Sequence, residues 1–373
     1  MGLNKIRLGD YIIRSTKNNR DLLYKEDMIV GVNTKGVFAT PKGEPIDVNL
    51  KPYKIVDNGA FVYNPTRIDL GSLAYRTEGR CIVSHLYIVF YLTEEGKKII
   101  DPTYLYIYFR RREFCREVTF RNFGSQRPEF SFADMSDITI NLPSLDIQQK
   151  YVNIYNAMLK NQQNYERGLE DLKLSYEALL EEYKRKAERK TVGNILSEID
   201  NRNDKGLITD VRGININKQF MPTVADTNGV NLSKYKIVQK GQFAFSGMQT
   251  GRDECIRIAF SEENKPIIIS PAYSVFENID KNVISEYLMM WFSRKESDRL
   301  GWFMSDASIR TNLEMDRFYE IEIPIPDIEI QKSIVNIYNC YIERKRINEQ
   351  LKAQIKDICP ILIKGSIEEG GKD

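Results

Sequence analysis

The chain has one histidine, His85, in 373 residues, and its five cysteines (Cys81, Cys115, Cys255, Cys340 and Cys359) show no Cys-x-x-Cys spacing. A zinc site is therefore not expected, and the thiols read as reduced and buried. No glycine-rich loop follows a first strand, so nothing in the chain suits S-adenosylmethionine, and no Walker-type lysine loop is present for ATP hydrolysis. Ser270-Pro271-Ala272-Tyr273 is superficially similar to the Asn/Asp/Ser-Pro-Pro-aromatic motif of amino-methyltransferases, but its third residue differs. Apolar runs of membrane-spanning length and a signal-peptide pattern are both missing, which predicts a soluble, cytoplasmic protein. Ile6 stands where a myristoylation signal needs Ser or Thr. An excess of one charge is lacking too: 54 basic residues face 52 acidic ones, a formal net charge of +2. Nucleic-acid binding would have to rest on local patches and shape rather than on bulk charge.

What is present begins with residues 142–186, LPSLDIQQKYVNIYNAMLKNQQNYERGLEDLKLSYEALLEEYKRK. A proline-containing strand end is followed by a run without internal proline whose apolar positions fall into heptads. One row is Tyr151, Met158, Tyr165, Leu172 and Leu179; the other is Tyr155, Gln162, Leu169, Tyr176 and Tyr183. Alternating steps of three and four describe a coiled-coil seam. About 40 residues at ~1.5 Å each predict a helix of roughly 60 Å with one apolar face to cover.

The same signature returns near the end of the chain. LPSLDIQQKYVNIYN at 142–156 aligns without gaps on IPDIEIQKSIVNIYN at 325–339, Tyr338 lying 183 residues after Tyr155. The second run carries Ile334, Tyr341, Asn348, Ile355 and Leu362 on one row and Ile337, Arg344, Leu351 and Ile358 on the other. Pro360 is expected to end or kink it. Polar Asn348 and Arg344 on the seam would fix register at some cost in stability.

Upstream, Tyr53-Lys-Ile-Val56 recurs as Tyr235-Lys-Ile-Val238, each followed by a glycine (Gly59, Gly241) and a phenylalanine (Phe61, Phe243). Leu8-Gly9 matches Val192-Gly193, Val83-Ser84 with Tyr87 matches Ile269-Ser270 with Tyr273, and Tyr104-Leu105 matches Tyr287-Leu288. The chain is a tandem duplication of a mixed globular part followed by a long helix, and its length leaves room for a sizeable core in each copy. Segments 1–142, 143–189, 190–325 and 326–373 are thus first globular domain, central helix, second globular domain, and C-terminal helix with tail.

Within the first globular part, β-branched and aromatic runs at 28–32, 37–39, 53–56, 60–63, 80–83, 87–91 and 138–142 read as strands. Residues 104–117 read as one helix with Arg110, Arg111 and Arg112 late in it. Those arginines suit either the helix dipole or phosphate contacts. Two polar loops, YNPTR at 63–67 and FGSQR at 123–127, carry groups that can meet base edges, although turn chemistry alone could explain their Asn-Pro and Gly. In the second part strands are expected at 212–217, 235–238, 243–245 and 267–269. SGMQTGRD at 246–253 and MSDASIRTN at 304–312 take the places of the two loops with different content. Divergent loops on a repeated scaffold fit two readers of different short sequences; drift of surface loops would look the same.

This layout resembles the specificity subunit of type I restriction–modification systems. The resemblance is carried by the tandem globular–helix duplication and by the two strand-to-helix junctions, Pro143-Ser-Leu-Asp-Ile-Gln148-Gln149 and Pro324-Ile-Pro326-Asp-Ile-Glu-Ile-Gln331, which are similar to the family's Pro-Pro-x-x-Glu-Gln element. Ser308-x-Arg310-x-Asn312 is similar to the polar stretch that closes the family's recognition domains. It implies an α+β chain of two mixed α/β target recognition domains separated by two long helices packed as an antiparallel coiled coil. Each domain would read half of a bipartite, asymmetric double-stranded DNA target, and the helices would act as spacer and bind two methylation subunits. Those partners would supply S-adenosylmethionine and adenine methylation, with motor–nuclease restriction subunits as further possible partners. The chain itself would have no active site and no cofactor.

The residues assigned to DNA are Asn64, Thr66, Arg67, Ser125, Gln126 and Arg127 in the first domain, with Arg110 and Arg112 on phosphates. In the second they are Ser246, Gln249, Thr250, Arg252, Ser308, Arg310 and Asn312. Tyr151, Met158, Tyr165, Leu169, Leu172, Leu179, Ile334, Ile337, Tyr341, Leu351, Ile355 and Ile358 form the seam. A coiled-coil scaffold that binds only proteins, and a self-contained modification enzyme, are the alternatives; the missing cofactor loop speaks against the second.

Overall fold

The computed structural model describes residues 2–41, 48–122, 129–224, 226, 229–248, 250–306 and 311–372. The chain forms two compact units, Met1–Tyr165 with Ile347–Asp373, and Glu166–Arg346. Each contains a globular part and a stretch of both long helices.

A four-stranded antiparallel sheet centres each unit. In the first, Ile12–Arg14, Ile88–Leu92, Phe61–Tyr63 and Leu73–Tyr75 pair in that spatial order. In the second, Leu196–Ile199, Ser274–Asn278, Gln242–Ser246 and Arg257–Phe260 repeat it. Side chains alternate across a strand, and both faces are used. Phe61, Tyr63 and Phe90 enter one core with the buried helix Pro102–Phe109, while Val62, Ala74 and Val89 enter a smaller one with Val56, Cys81 and Val83. Phe243, Phe245 and Phe276 against Ala244, Ala259 and Val275 reproduce this division. The strands Leu73–Tyr75 and Arg257–Phe260 are absent from the sequence reading. Each has a central alanine, Ala74 or Ala259, of low strand propensity, which is all that the thin second core admits.

The helix expected over 104–117 is two helices, Pro102–Phe109 and Arg112–Arg121. Asp101 caps the first by accepting from the amides of Thr103 and Tyr104 at 2.8 and 3.0 Å. At the break the Arg111 guanidinium folds back over the Tyr108 ring at 3.8 Å and donates from Nε to the Tyr108 carbonyl at 3.0 Å. Arg294 lies over Trp291 at 4.4 Å at the same break in the second unit, between Ser285–Phe292 and Lys295–Met304.

Each long helix starts at a buried glutamine. Gln148 Nε2 donates to the carbonyls of Ile99 and Pro143 at 2.8 and 2.9 Å, and Oε1 accepts from the Asp101 amide at 2.9 Å. Gln331 donates to Asn282 and Pro326 at 2.8 and 2.7 Å and accepts from Ile284 at 2.9 Å. Every partner is displaced by 183 residues, and both glutamines are fully buried. This side chain ties strand end, long helix and the start of the buried helix into one knot, a role beyond the junction likeness noted in the sequence.

The helices Leu145–Lys186 and Ile328–Gly370 pack antiparallel within each unit. In the first unit Lys150 and Tyr151 reach Glu369 at 2.8 and 3.1 Å, and Gln162 Nε2 donates to Asn348 Oδ1 at 3.0 Å. In the second, Tyr176 meets Tyr338 and Tyr341 with ring centroids 5.5 and 5.6 Å apart, and Gly168 makes room for the Arg344 guanidinium. Of the seam positions, Leu169 and Ile334 are buried, as are Tyr155, Gln162 and Tyr176 of the companion row. Tyr151, Met158, Tyr165, Leu172, Leu179, Ile337, Tyr341, Leu351, Ile355 and Ile358 are half-buried. Pro360 does not end the second helix, which runs on to Gly370; Cys359, Leu362 and Ile363 around it are anchored in the first core.

Gln148→Leu would leave three buried backbone groups unpaired, at ~1–3 kcal/mol each. It is expected to destabilise the first unit by about 3 kcal/mol or more, seen as a lower urea midpoint for that unit. Tyr63 is the opposite case. Its hydroxyl is buried without a hydrogen-bond partner, and burial pushes its acidity far below that of an ordinary phenol. Tyr63→Phe, which copies Phe245 of the second unit, is expected to stabilise by about 1 kcal/mol in the same measurement.

Candidate nucleic-acid interface

In each unit the central strand of the sheet runs out into a polar loop, and a second loop returns to it. After Tyr63, Asn64 Oδ1 accepts from the Thr66 amide and hydroxyl at 3.0 and 2.9 Å, an Asx-type turn. A single helical turn, Ile68–Leu70, follows, closed by Gly71 at φ +94°, in the left-handed region that favours glycine. The Phe130 amide then donates to the Pro65 carbonyl at 2.9 Å, bringing the second loop's exit against the first loop.

The second unit repeats this junction with other residues. The Leu313 amide donates to the Gly247 carbonyl at 2.8 Å, and the Gly251 amide to Thr311 at 2.9 Å. The approach at Gly247 is so close that a Cβ there would lie 1.9 Å from the Leu313 carbonyl oxygen. Ser246 Oγ accepts from the Met248 amide at 3.4 Å and Thr250 Oγ1 donates to the Gly247 carbonyl at 3.0 Å, so both hydroxyls shape the loop. Asn312 donates its amide to Asp306 Oδ1 at 2.9 Å while the Asp306 amide returns to the Asn312 carbonyl at 2.8 Å.

The guanidinium groups divide into two kinds. Arg110 Nη1 donates to the Gly71 carbonyl at 2.7 Å and fills the space beside Gly36. Arg112 reaches Asp357 on the C-terminal helix at 3.3 Å. Arg67, at the start of its helical turn, and Arg252, within the turn Thr250–Asp253, are exposed and donate to no described protein group through their side chains. Ser125, Gln126, Arg127, Gln249, Ser308 and Arg310 lie outside the described residues.

Sequence reasoning ran the first of the helices that back the loops into the helix before it and did not name the second. Arg112–Arg121 packs against Ile68–Leu70, and Lys295–Met304 against Thr250–Asp253. Beneath the latter, buried Lys218 pairs with Asp298 at 2.5 Å, and Asp298 also accepts from the Ile256 amide at 3.0 Å. A lone lysine in a loop gives no signal for such a pair.

The Ser-Pro-Ala-Tyr segment is a tight turn, its Tyr273 amide donating to Ser270 at 3.0 Å as Tyr87 does to Ser84 in the first unit. His85 stands exposed on that first turn. No described group of three or more His, Cys, Asp or Glu side chains could hold a metal ion, and no described helix is long and apolar enough to cross a membrane.

The sequence family described as "Type I restriction modification DNA specificity domain" matches the chain twice, over residues 9–172 and 194–357. No curated protein matches it. Among solved structures, the type I restriction–modification S subunit of M. genitalium superposes with a TM-score of 0.60 at 12% identity, covering 98% of this chain and 96% of that one. A chain from a study of complex assembly and conformational transition of the type I R-M system gives a TM-score of 0.50 at 15% identity, covering 98% and 97%.

Gly247→Ala is expected to break the Leu313-to-Gly247 bond. Amide hydrogen exchange at Leu313 would accelerate, while the equivalent amide of Phe130 stays protected.

Proposed function

The chain belongs to the type I restriction modification DNA specificity family, and from that premise we propose that each compact unit reads one half of a bipartite, asymmetric DNA target. As a member it is the DNA specificity subunit of a type I restriction–modification system and is not itself a catalyst. The observation that carries the proposal is the repeated loop junction, Phe130 to Pro65 and Leu313 to Gly247. It holds the same two loops together in both units while presenting different side chains. A scaffold kept constant under changing polar groups is what two readers of unlike half-sites require.

Arg67 and Arg252 are the strongest base-reading candidates, because their guanidinium forks are exposed and uncommitted. A bidentate contact to guanine O6 and N7 discriminates by ~1–3 kcal/mol. Asn64, Thr66, Ser246, Thr250 and Asn312 spend hydrogen bonds on shaping the loops and would present their remaining acceptors or donors to DNA. Ser125, Gln126, Arg127, Gln249, Ser308 and Arg310 complete the proposed contacts. Arg112 can exchange its exposed ion pair for a phosphate at little cost, and Arg110 acts by holding Gly71. The long helices would carry two methylation subunits, which bring S-adenosylmethionine, and would set the gap between half-sites; restriction subunits would join through that assembly.

The test is base-resolution mapping of adenine methylation in cells that express the methylation subunits. Deleting this chain is expected to erase one gapped motif. Arg67→Ala and Arg252→Ala are each expected to relax one half of it, a different half for each. A methylome unchanged by deletion would overturn the reading and leave a protein scaffold in its place.

A further inference from the structure

The two helices that back the loops have diverged in an unexpected way. Arg112–Arg121 and Lys295–Met304 align at an offset of 183 residues. Their buried positions have changed: Phe114 is replaced by Ser297, and Val118 by Gly301. Other exposed positions have changed too, Thr119 to Trp302 and Arg112 to Lys295, but three on one face have not. Glu113, Arg116 and Phe120 recur as Glu296, Arg299 and Phe303. At spacings of three and four residues these side chains form one stripe on the helix surface. Phe120 is 81% exposed and Phe303 83%, and both arginines are exposed.

Packing constrains a core and leaves a surface free to drift, so one stripe retained while the core beneath and the surface beside it change points to a partner. That partner meets both units in the same way, which separates it from the base sequence read by each, since the reading loops differ. Two things meet both halves alike: the DNA backbone and a protein present in two copies. The composition favours the protein. Glu113 pairs with Arg116 at 3.2 Å and Glu296 with Arg294 at 3.6 Å, so each glutamate offsets basic charge that a phosphate would need. The phenylalanine sits at the helix C-terminus, where the dipole is negative and anions are disfavoured. Exposed aromatic and arginine side chains together are the anchors that protein interfaces are built around.

We infer that Glu113–Arg116–Phe120 and Glu296–Arg299–Phe303 are two equivalent docking stripes, each engaging one copy of the same methylation subunit. The inference rests on the specificity-subunit reading and adds the globular surface through which that partner is held. In the assembled complex each phenylalanine ring is buried by the partner and the arginine meets an acidic group on it.

The experiment co-expresses the full chain with its methylation subunit and measures subunit stoichiometry by native mass spectrometry, with DNA binding of the same samples. Phe303→Ala and Phe120→Ala are each expected to weaken recruitment of one methylation subunit roughly 30-fold or more, giving a one-to-one complex where the unaltered chain holds two. The double variant is expected to lose both. Arg116→Glu with Arg299→Glu provides a charge-reversal version, and unaltered urea midpoints in all variants show that folding is intact. Full stoichiometry at unchanged affinity overturns the inference. So does full stoichiometry with weakened DNA binding, which would assign the stripe to the DNA backbone. Failure of the unaltered chain to recruit any methylation subunit would instead bring down the reading on which the inference rests.

Discussion

The buried glutamine at the foot of each long helix is the constraint on which the architecture depends. Gln148 and Gln331 each satisfy three backbone groups that would otherwise be left bare inside the core: the exit of a strand, a loop carbonyl, and the amide opening the buried helix. Only a primary amide of this length offers two donors and an acceptor at one tip. Asparagine is too short and glutamate lacks the donors. Fixing that knot fixes the direction in which some 40 residues of helix leave the globular part.

From that fixed origin the rest of each unit follows in layers. The sheet divides its side chains between a thick aromatic core and a thin aliphatic one. The thick core seats the helix Pro102–Phe109 or Ser285–Phe292, and the helix beyond the arginine break turns back to support the first loop. The described ends of the loops are therefore held on rigid elements, as the proposed reading of base edges needs. The Arg111 and Arg294 side chains, folded over their own aromatic neighbours, mark the place where direction changes.

How much of this was legible in the sequence varied with the physics of each element. Heptads, the gapless VNIYN repeat and the paired Tyr-Lys-Ile-Val runs disclosed the duplication and the helix pair, because periodic burial leaves a periodic imprint. The strands Leu73–Tyr75 and Arg257–Phe260 left none, since an alanine chosen for lack of space looks like no preference at all. The continuation past Pro360 was hidden for a related reason: tertiary anchoring by Leu362 and Ile363 overrides local propensity. At the interface the sequence supplied the polar loops but not their state of engagement. Arg110 and Arg67 both read as DNA contacts in the sequence, and the bond to the carbonyl of Gly71 shows that Arg110 is already engaged.

The chain order of the two compact units has a consequence for biogenesis. Glu166–Arg346 is continuous in sequence, whereas the first unit closes only with Ile347–Asp373, whose Cys359, Leu362 and Ile363 lie in its core. On a ribosome the later unit has all of its residues before the earlier one does. The N-terminal part must wait, its aromatic face incomplete, until the last turns of helix emerge. Vectorial synthesis ordinarily lets the N-terminal domain fold first; here the topology reverses that order, and the nascent first unit is the species most in need of chaperone protection.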